Sequence, residues 1–196
     1  MRNSRLYVDM DGVLVDFTAG MCNHFHIPFD INNYPFPIGL WDYSTHLKDN
    51  YNLDWDDVVK LCNDSNFWAN LPELPMFSRL YSDLIKVANR YNMDLVLLTT
   101  PTGDRANCNI GKQIWLNRHS MHSPLQVLKD GETKGSYALP GDVLVDDKGS
   151  NVQDFIKAGG KGVLIPRPWN NRVYDFDNYL TANILAVVDT MEAIER

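Results

Sequence analysis

The sequence lacks the features that mark disulfide-rich, zinc-binding or membrane-spanning proteins. Its 196 residues include only three cysteines, Cys22, Cys62 and Cys108, and no two of them form a CxxC pair. An odd, unpaired set argues against a disulfide framework and a zinc site, and it suits a reducing cytoplasm. No apolar run approaches the roughly 20 residues that span a bilayer. The first apolar run ends at Asp9, which is too early for a signal peptide.

Positive charge is also scarce. The formal net charge is −7, and the 18 lysines and arginines form no basic run. A protein that holds a long nucleic acid usually presents a basic face, so no such partner is expected. Any phosphate site must be a small local concentration of positive charge, which indicates a small substrate.

Short, continuous apolar runs are what the sequence does contain, and helical patterns separate them. Such runs are typical of strands covered on both faces in a parallel sheet. Their alternation with helices predicts an α/β, doubly wound, Rossmann-like domain of about five parallel strands. The predicted strands are Leu6–Val8, Leu95–Leu98, Leu125–Leu128, Val143–Val145 and Gly162–Ile165.

Three helices are predicted from apolar residues at three- and four-residue spacing. They cover Met76–Tyr91, Asn151–Ala158 and Asn178–Ile194. Ser150 is the expected N-cap of the second helix, and Gly159 is its expected C-terminal stop.

One stretch interrupts the alternation of strands and helices. Residues 17–74 are rich in aromatic residues, Pro and Asn, and loops rarely exceed about 15 residues without structure of their own. We interpret them as a small, mostly helical cap inserted into a core of residues 1–16 and 75–196, with helices at Thr18–His26 and Asp54–Asn63. A lobe that only adds core is the alternative. The aromatic residues expected to form cap core are Tyr34, Phe36, Trp55 and Trp68.

The strongest chemical signal follows the first predicted strand. Asp9 and Asp11 are two residues apart, so in an extended chain they point the same way at the strand's carboxyl end, where open α/β sheets bind ligands. Two carboxylates this close repel unless a divalent cation or a proton relieves them. Gly12 then permits a sharp turn. A pair of aspartates that only caps a turn is the alternative interpretation.

This segment resembles the haloacid dehalogenase superfamily of aspartate-nucleophile phosphatases. The resemblance implies that Asp9 attacks phosphorus and that Asp11 acts as general acid and base. It also implies a phosphate-holding hydroxyl at the end of the next strand, for which Thr99 is the candidate with Thr100 beside it. A lysine that neutralises the nucleophile and the phosphate is assigned to Lys134 in preference to Lys129.

The last motif of the superfamily is an acidic pair that ends a buried strand, here Asp146 and Asp147. Asp142 offers an alternative through the spelling GDxxxD, but it precedes the strand and would lie at the end of the sheet away from Asp9. The resemblance implies Mg²⁺ held by Asp9, Asp147 and the backbone carbonyl of Asp11, since magnesium prefers oxygen ligands. Asp146 is expected to support Lys134 or a metal-bound water.

Within the superfamily the chain is most similar to the 5′(3′)-deoxyribonucleotidases. The opening Asp9–Phe17 resembles theirs nearly residue for residue, and Gly39–Trp41 matches a cap segment whose aromatic residues line the nucleoside pocket. Asn66–Trp68 resembles their exit from the cap. Lys112 stands where that family places a second phosphate-binding lysine. Phe17 and Trp41 are the residues assigned to the pocket.

The resulting hypothesis is a magnesium-dependent phosphomonoesterase that dephosphorylates deoxyribonucleoside monophosphates in the cytoplasm. One alternative is a phosphatase of the same chemistry for another small metabolite or a nucleic-acid 3′ end. A second alternative is a retired fold that binds nucleotides or a partner without turnover, against which the intact set of acidic, threonine and lysine residues argues. The sequence leaves open whether the protein forms a homodimer.

Overall fold

A computed structural model describes residues 2–30 and 34–196 of the chain. Its centre is a sheet of five strands that are all parallel, in the order β3-β2-β1-β4-β5. The α/β, Rossmann-like prediction is therefore confirmed, and each predicted strand is present. The strands are β1 Arg5–Val8, β2 Asp94–Thr99, β3 Leu125–Val127, β4 Val143–Asp146 and β5 Lys161–Leu164.

The central strand β1 is buried because helices cover both faces of the sheet. Leu6, Tyr7 and Val8 are at most 1% exposed, which explains why its sequence is continuously apolar rather than alternating. Val8 pairs with Leu97 of β2 on one side and with Val145 of β4 on the other. Because the strands are parallel, the residues that follow β1, β2 and β4 meet at one edge of the sheet.

The described part of the chain contains eight α-helices. It also contains two short 3₁₀ helices, Lys134–Tyr137 and Val173–Asp175. No described helix has the length and apolar character needed to cross a membrane. The helices are α1 Phe17–His24, α2 Ser44–Tyr51, α3 Trp55–Leu61, α4 Ser65–Ala69, α5 Phe77–Arg90, α6 Arg105–Arg118, α7 Gly149–Lys157 and α8 Tyr179–Glu195. Of these, α5 to α8 contact the sheet.

The start of α7 corrects one prediction. Its N-cap is Lys148 and not Ser150, which lies inside the helix. The backbone N–H of Lys148 donates to Oδ1 of Asp146 at 2.8 Å, so a local turn at the end of β4 starts the helix before Ser150 is reached. The predicted stop is confirmed, since Gly159 follows the helix with a φ of +99°.

The stretch of residues 17–74 enters and leaves the core at one place. The N–H of Asp16 donates to the carbonyl of Pro72 at 2.8 Å, and the N–H of Leu74 donates to the carbonyl of Leu14 at 3.0 Å. Val15 and Glu73 form an antiparallel bridge between the two segments. The helices α1 to α4 all lie between these crossing points.

The aromatic residues of this stretch divide between its interior and its surface. Phe36 and Trp68 are buried as predicted, and Tyr34 is partly buried. The prediction for Trp55 is wrong, because its side chain is 40% exposed. Trp55 begins α3 and faces a cavity, so the ring covers an opening instead of filling the interior.

Candidate active site

The carboxyl ends of β1 and β4 bring three carboxylates together. Asp9 follows β1, Asp146 ends β4 and Asp147 comes next. One oxygen of each lies within 4.8 Å of one oxygen of the others, and all three residues are buried. Asp142, at the amino end of β4, is bound instead by Arg2 and by the N–H of Arg5.

Lys134 joins two of these carboxylates. Its Nζ lies 2.8 Å from Oδ2 of Asp9 and 2.5 Å from Oδ2 of Asp146, and its side chain is fully buried. Burial lowers the pKa of Lys134, but the charges of Asp146 and Asp9 outweigh it and raise the pKa above the ordinary value. Lys134 is therefore a fixed cation beside Asp9. Lys129 lies on the surface near Glu132.

A second buried lysine contacts Asp11. Nζ of Lys112 lies 2.5 Å from Oδ2 of Asp11 and 2.5 Å from Oγ1 of Thr99. Its ammonium also lies 4.8 Å from the centre of the Trp68 ring. Burial raises the pKa of the Asp11 carboxyl, and the charge of Lys112 opposes part of that rise. Thr99, at the end of β2, is thus tied to the aspartate by the lysine.

The two carboxylate oxygens of Asp147 differ in their hydrogen bonding. Trp169 donates its Nε1–H to Oδ2 at 2.7 Å, whereas Oδ1 is buried and has no hydrogen-bond partner among the described residues. Asn170 donates to the backbone carbonyl of Asp147 at 2.9 Å. Burial raises the pKa of the Asp147 carboxyl well above its usual range, and the charges of Asp146 and Asp9 raise it further.

These donors fit a divalent cation. The cluster offers oxygen ligands only, and the buried Oδ1 atoms of Asp11 and Asp147 both lack a partner in the described chain. Magnesium prefers such hard oxygen ligands, and its charge would relieve the repulsion that raises the pKa of Asp147. Asp9, Asp147 and the carbonyl of Asp11 are the candidate ligands, and Asp146 contacts Lys134 beside them.

A tight turn after β1 brings Gly12 close to Asp147. Gly12 has a φ of +74°, and its N–H donates to the carbonyl of Val15 at 2.9 Å. A Cβ atom at this position would lie 1.8 Å from Oδ2 of Asp147. Only glycine allows the turn and this approach together.

A cavity of about 520 Å³ opens above the carboxylates. Asp9, Asp11 and Asp147 lie in its wall, and aromatic side chains of the 17–74 stretch line part of the remainder. The ammonium of Lys148 lies 5.1 Å from the centre of the Trp41 ring. The predicted residues Phe17, Trp41 and Thr100 line the cavity, and the further lining residues include Tyr43, Trp55, Lys148 and Trp169.

Three residues after β5 were missed by the sequence analysis: Arg167, Trp169 and Asn170. The guanidinium of Arg167 is fully buried and donates through Nε to the carbonyl of Gly12 at 2.7 Å. Its pKa falls to about 10 because it is buried. The signal that could have found them was a cluster of polar and aromatic residues at the carboxyl end of a strand, the edge where ligands bind in such sheets.

The fold and the acidic edge define the class of the protein. A solved structure of a haloacid dehalogenase-like hydrolase from Streptococcus pneumoniae superposes with a TM-score of 0.54 at 12% identity, and the match covers 95% of this chain and 98% of that one. The protein thus has the haloacid dehalogenase-like fold.

Within that class the family is defined by sequence. The profile described as 5′ nucleotidase, deoxy (Pyrimidine), cytosolic type C protein matches residues 3–188, and the chain belongs to this family. The family is one of phosphoric monoester hydrolases of the 5′-nucleotidase type.

Two curated relatives carry the name of such an enzyme. The mitochondrial 5′(3′)-deoxyribonucleotidase of Mus musculus is 26% identical over 152 residues, which is 75% of this chain and 66% of that protein. A putative 5′(3′)-deoxyribonucleotidase of Bordetella bronchiseptica is 25% identical over 174 residues, which is 87% of this chain and 82% of that one. The match thus spans just under two thirds of the mouse protein.

Proposed function

We propose that the protein is a magnesium-dependent phosphomonoesterase that hydrolyses deoxyribonucleoside monophosphates. The observation that carries the proposal is the set of contacts at Asp9. This carboxylate lies in the wall of the cavity, with Lys134 at 2.8 Å and the carboxylates of Asp146 and Asp147 beside it. A nucleophilic carboxylate, a fixed cation and oxygen donors for a metal are the groups that phosphoryl transfer through an aspartate requires.

Asp9 is the nucleophile in this proposal. Its Oδ1 accepts a hydrogen bond from the N–H of Met10 at 2.7 Å, and its Oδ2 faces Lys134, so the carboxylate is held in place. An oxygen of Asp9 forms a bond to phosphorus while the ester P–O bond breaks. The product of this step is an aspartyl-phosphate.

Asp11 carries the proton in both steps. It gives a proton to the leaving nucleoside oxygen, and it then takes one from the water that attacks the phosphorus of the aspartyl-phosphate. The second step releases inorganic phosphate and restores Asp9. Splitting the displacement in this way lets a single acid serve both steps. Bound magnesium supplies positive charge that lowers the repulsion between the phosphate and the carboxylates.

We assign the stretch of residues 17–74 the role of a cap over this chemistry. It is joined to the core at the paired segments beside Asp16 and Glu73, and it supplies most of the aromatic wall of the cavity. An aromatic wall above a phosphate site suits the flat base and the apolar face of a deoxyribose. Phe17 and Trp41 are the proposed contacts for the nucleoside.

The proposal predicts a bias toward the 2′-deoxy substrate. A ribose hydroxyl in an apolar pocket must be desolvated without a partner, and such a pocket discriminates by at most roughly 10²-fold. Phe17→Ala should raise KM for the deoxy substrate and narrow the preference. Lys112→Ala should weaken the binding of both substrates about equally, because Lys112 is assigned to the phosphate, which both substrates share.

The test is phosphate release from dUMP, dTMP and UMP with magnesium, measured as initial rates at matched concentrations. A panel of sugar phosphates and a 3′-phosphorylated oligonucleotide are run in parallel. Faster cleavage of the deoxy substrates supports the proposal. Equal rates for dUMP and UMP, or fast cleavage of a sugar phosphate alone, would disprove the nucleotidase assignment and leave the phosphatase chemistry. No release from any substrate would disprove both.

A further inference from the structure

The side chain of Asp147 is fixed by a residue that takes no part in the proposed chemistry. Trp169 lies beyond β5 and reaches back across the edge of the sheet to donate its indole N–H to Oδ2 of Asp147 at 2.7 Å. Gly12 leaves the space in which this oxygen lies, since a Cβ there would be 1.8 Å from it. Oδ2 is thus enclosed between the turn and the indole.

The other oxygen of the same carboxylate is left without a protein partner. Oδ1 of Asp147 is buried and accepts no hydrogen bond within the described chain. A buried carboxylate oxygen is costly unless it is paired or bound to a cation. We propose that Trp169 is a positioning residue that holds Oδ2 of Asp147, so that Oδ1 is the atom presented to the divalent cation. This inference rests on the proposed function, because it takes the acidic cluster to be a magnesium site.

Trp169 is itself held in place, as a positioning residue has to be. Its ring centre lies 5.4 Å from that of Tyr34, and it forms a buried cluster with Leu74 and Tyr179. The next residue, Asn170, bonds the carbonyls of Asp147 and Ile165 at 2.9 and 2.8 Å. The orientation of the indole is therefore set by packing and by the backbone, and the carboxylate follows it.

Removing the indole N–H while keeping an aromatic ring isolates this role. Outer-shell partners of metal ligands typically contribute 10- to 100-fold in metal affinity, so Trp169→Phe should bind Mg²⁺ about tenfold more weakly. The matched control is Trp115→Phe, because Trp115 is equally buried and donates its indole N–H at 2.9 Å to the carbonyl of Leu71, away from the carboxylates.

Affinity is measured by isothermal titration of the substrate-free protein with MgCl₂, and the magnesium dependence of phosphate release is measured beside it. We expect weaker binding for Trp169→Phe, activity restored by excess magnesium, and a control within twofold of the wild type. Wild-type affinity in a folded Trp169→Phe protein, or an equal loss in the control, would overturn the inference while the proposed function stands. A wild-type protein that binds no magnesium would overturn both.

A second measurement on the wild type avoids any loss of folding in the variant. In the ¹⁵N-labelled protein, the indole N–H resonance of Trp169 should shift when MgCl₂ is added, whereas that of Trp115 should stay in place. An indole resonance of Trp169 that does not respond to saturating magnesium would contradict the inference.

Discussion

At the scale of single residues, the candidate site offsets part of its negative charge with two buried lysines that have different partners. Lys134 lies between Asp9 and Asp146, and Lys112 lies against Asp11. A buried charge left unpaired is strongly destabilising, so each substitution must be judged by the partners that remain. Neutralising Asp9 should therefore cost the fold little stability, because Lys134 would still be paired with Asp146.

The first prediction uses that property. Asp9→Asn keeps the shape of the side chain but removes the attacking charge, so turnover should fall by at least about 10³-fold. The measurement is the steady-state rate of phosphate release from dUMP, with circular dichroism as the check on folding.

Asp142→Asn is the matched control for this substitution. Asp142 is also buried, but it lies at the opposite end of β4 and bonds the N–H groups of Arg5 and Leu139 at 2.8 and 3.1 Å. Its variant should keep most of the activity. A tenth of the wild-type rate remaining in Asp9→Asn would contradict the assignment of the nucleophile.

A second prediction concerns Asp16, a buried carboxylate at the N-cap of α1. Burial raises its pKa to about 6, although a hydrogen bond from the N–H of Ala19 and the charge of Arg167 oppose the rise. The folded protein thus binds this proton more tightly than the unfolded chain does. The carboxylate costs stability as the pH rises from about 4 to about 6, and the cost is complete above that range.

Asp16→Asn should remove this cost and keep the cap, since the amide oxygen can still accept from Ala19. The gain in the free energy of unfolding over the wild type should grow between pH 4.5 and pH 7.5, to at most about 3 kcal/mol. Urea denaturation at both pH values measures it. Asp64→Asn alters an exposed capping carboxylate of α4, and its effect should be nearly the same at both. A gain that shrinks with pH would refute the argument.

At the scale of elements, the turn after β1 decides whether the two acidic segments can meet. Its backbone is bonded by Arg167, whose Nε donates to the carbonyl of Gly12 at 2.7 Å and whose Nη2 lies 3.4 Å from the carbonyl of Val13. The turn after the central strand is thereby held by a residue that follows β5, the strand at one edge of the sheet. The close approach of Gly12 to Asp147 depends on this turn.

The third prediction tests the turn with Gly12→Ala. A left-handed backbone costs a non-glycine residue about 1–2 kcal/mol, and the new Cβ would displace the carboxylate of Asp147. Both stability and magnesium-dependent activity should fall. Gly131→Ala is the control, because Gly131 has a φ of +80° and a Cβ added there would meet no described atom within 4 Å.

The two variants separate backbone strain from the collision. In urea denaturation Gly131→Ala should lose only the small amount of stability due to strain, and Gly12→Ala should lose more because of the collision with Asp147. Only Gly12→Ala should lose activity by more than about tenfold. Similar activities in the two variants would show that the close approach of Gly12 to Asp147 has no catalytic importance.

At the scale of the whole molecule, the acidic cluster should couple stability to the proposed cation. Three buried carboxylates repel one another in the folded protein, and a ligand that binds only the folded state stabilises it by mass action. At a magnesium concentration one hundred times Kd, the gain would be about 2.7 kcal/mol.

The fourth prediction follows for thermal unfolding. Magnesium should raise Tm relative to EDTA in the wild type, and Asp147→Asn should abolish most of that increase. EDTA should also abolish phosphate release, and calcium should support it poorly because it favours more ligands at longer distances. Full activity in excess chelator would contradict the assigned site.

The sequence by itself determined the sheet and the acidic residues that follow its strands. Continuous apolar runs identify buried parallel strands, and a carboxylate directly after such a run is too costly to be accidental. Asp9, Asp11, Asp146 and Asp147 could therefore be found without coordinates. In the cap region, by contrast, two helices were predicted and the structure has four. Short helices such as Ser65–Ala69 depend on tertiary packing rather than on an apolar pattern.

Only the tertiary structure decided how those residues are held. Arg167 lies 155 positions along the chain from Gly12, and Trp169 lies 22 positions from Asp147, and neither pair is spaced as neighbours on one helix or strand would be. Trp169 bonds Asp147 and Arg167 bonds the turn because β5 carries both to the edge of the sheet beside β4. Three-dimensional packing determines hydrogen-bond partners of this kind. Strands and the acidic residues at their ends depend on local burial, and apolar runs in the sequence indicate that burial directly.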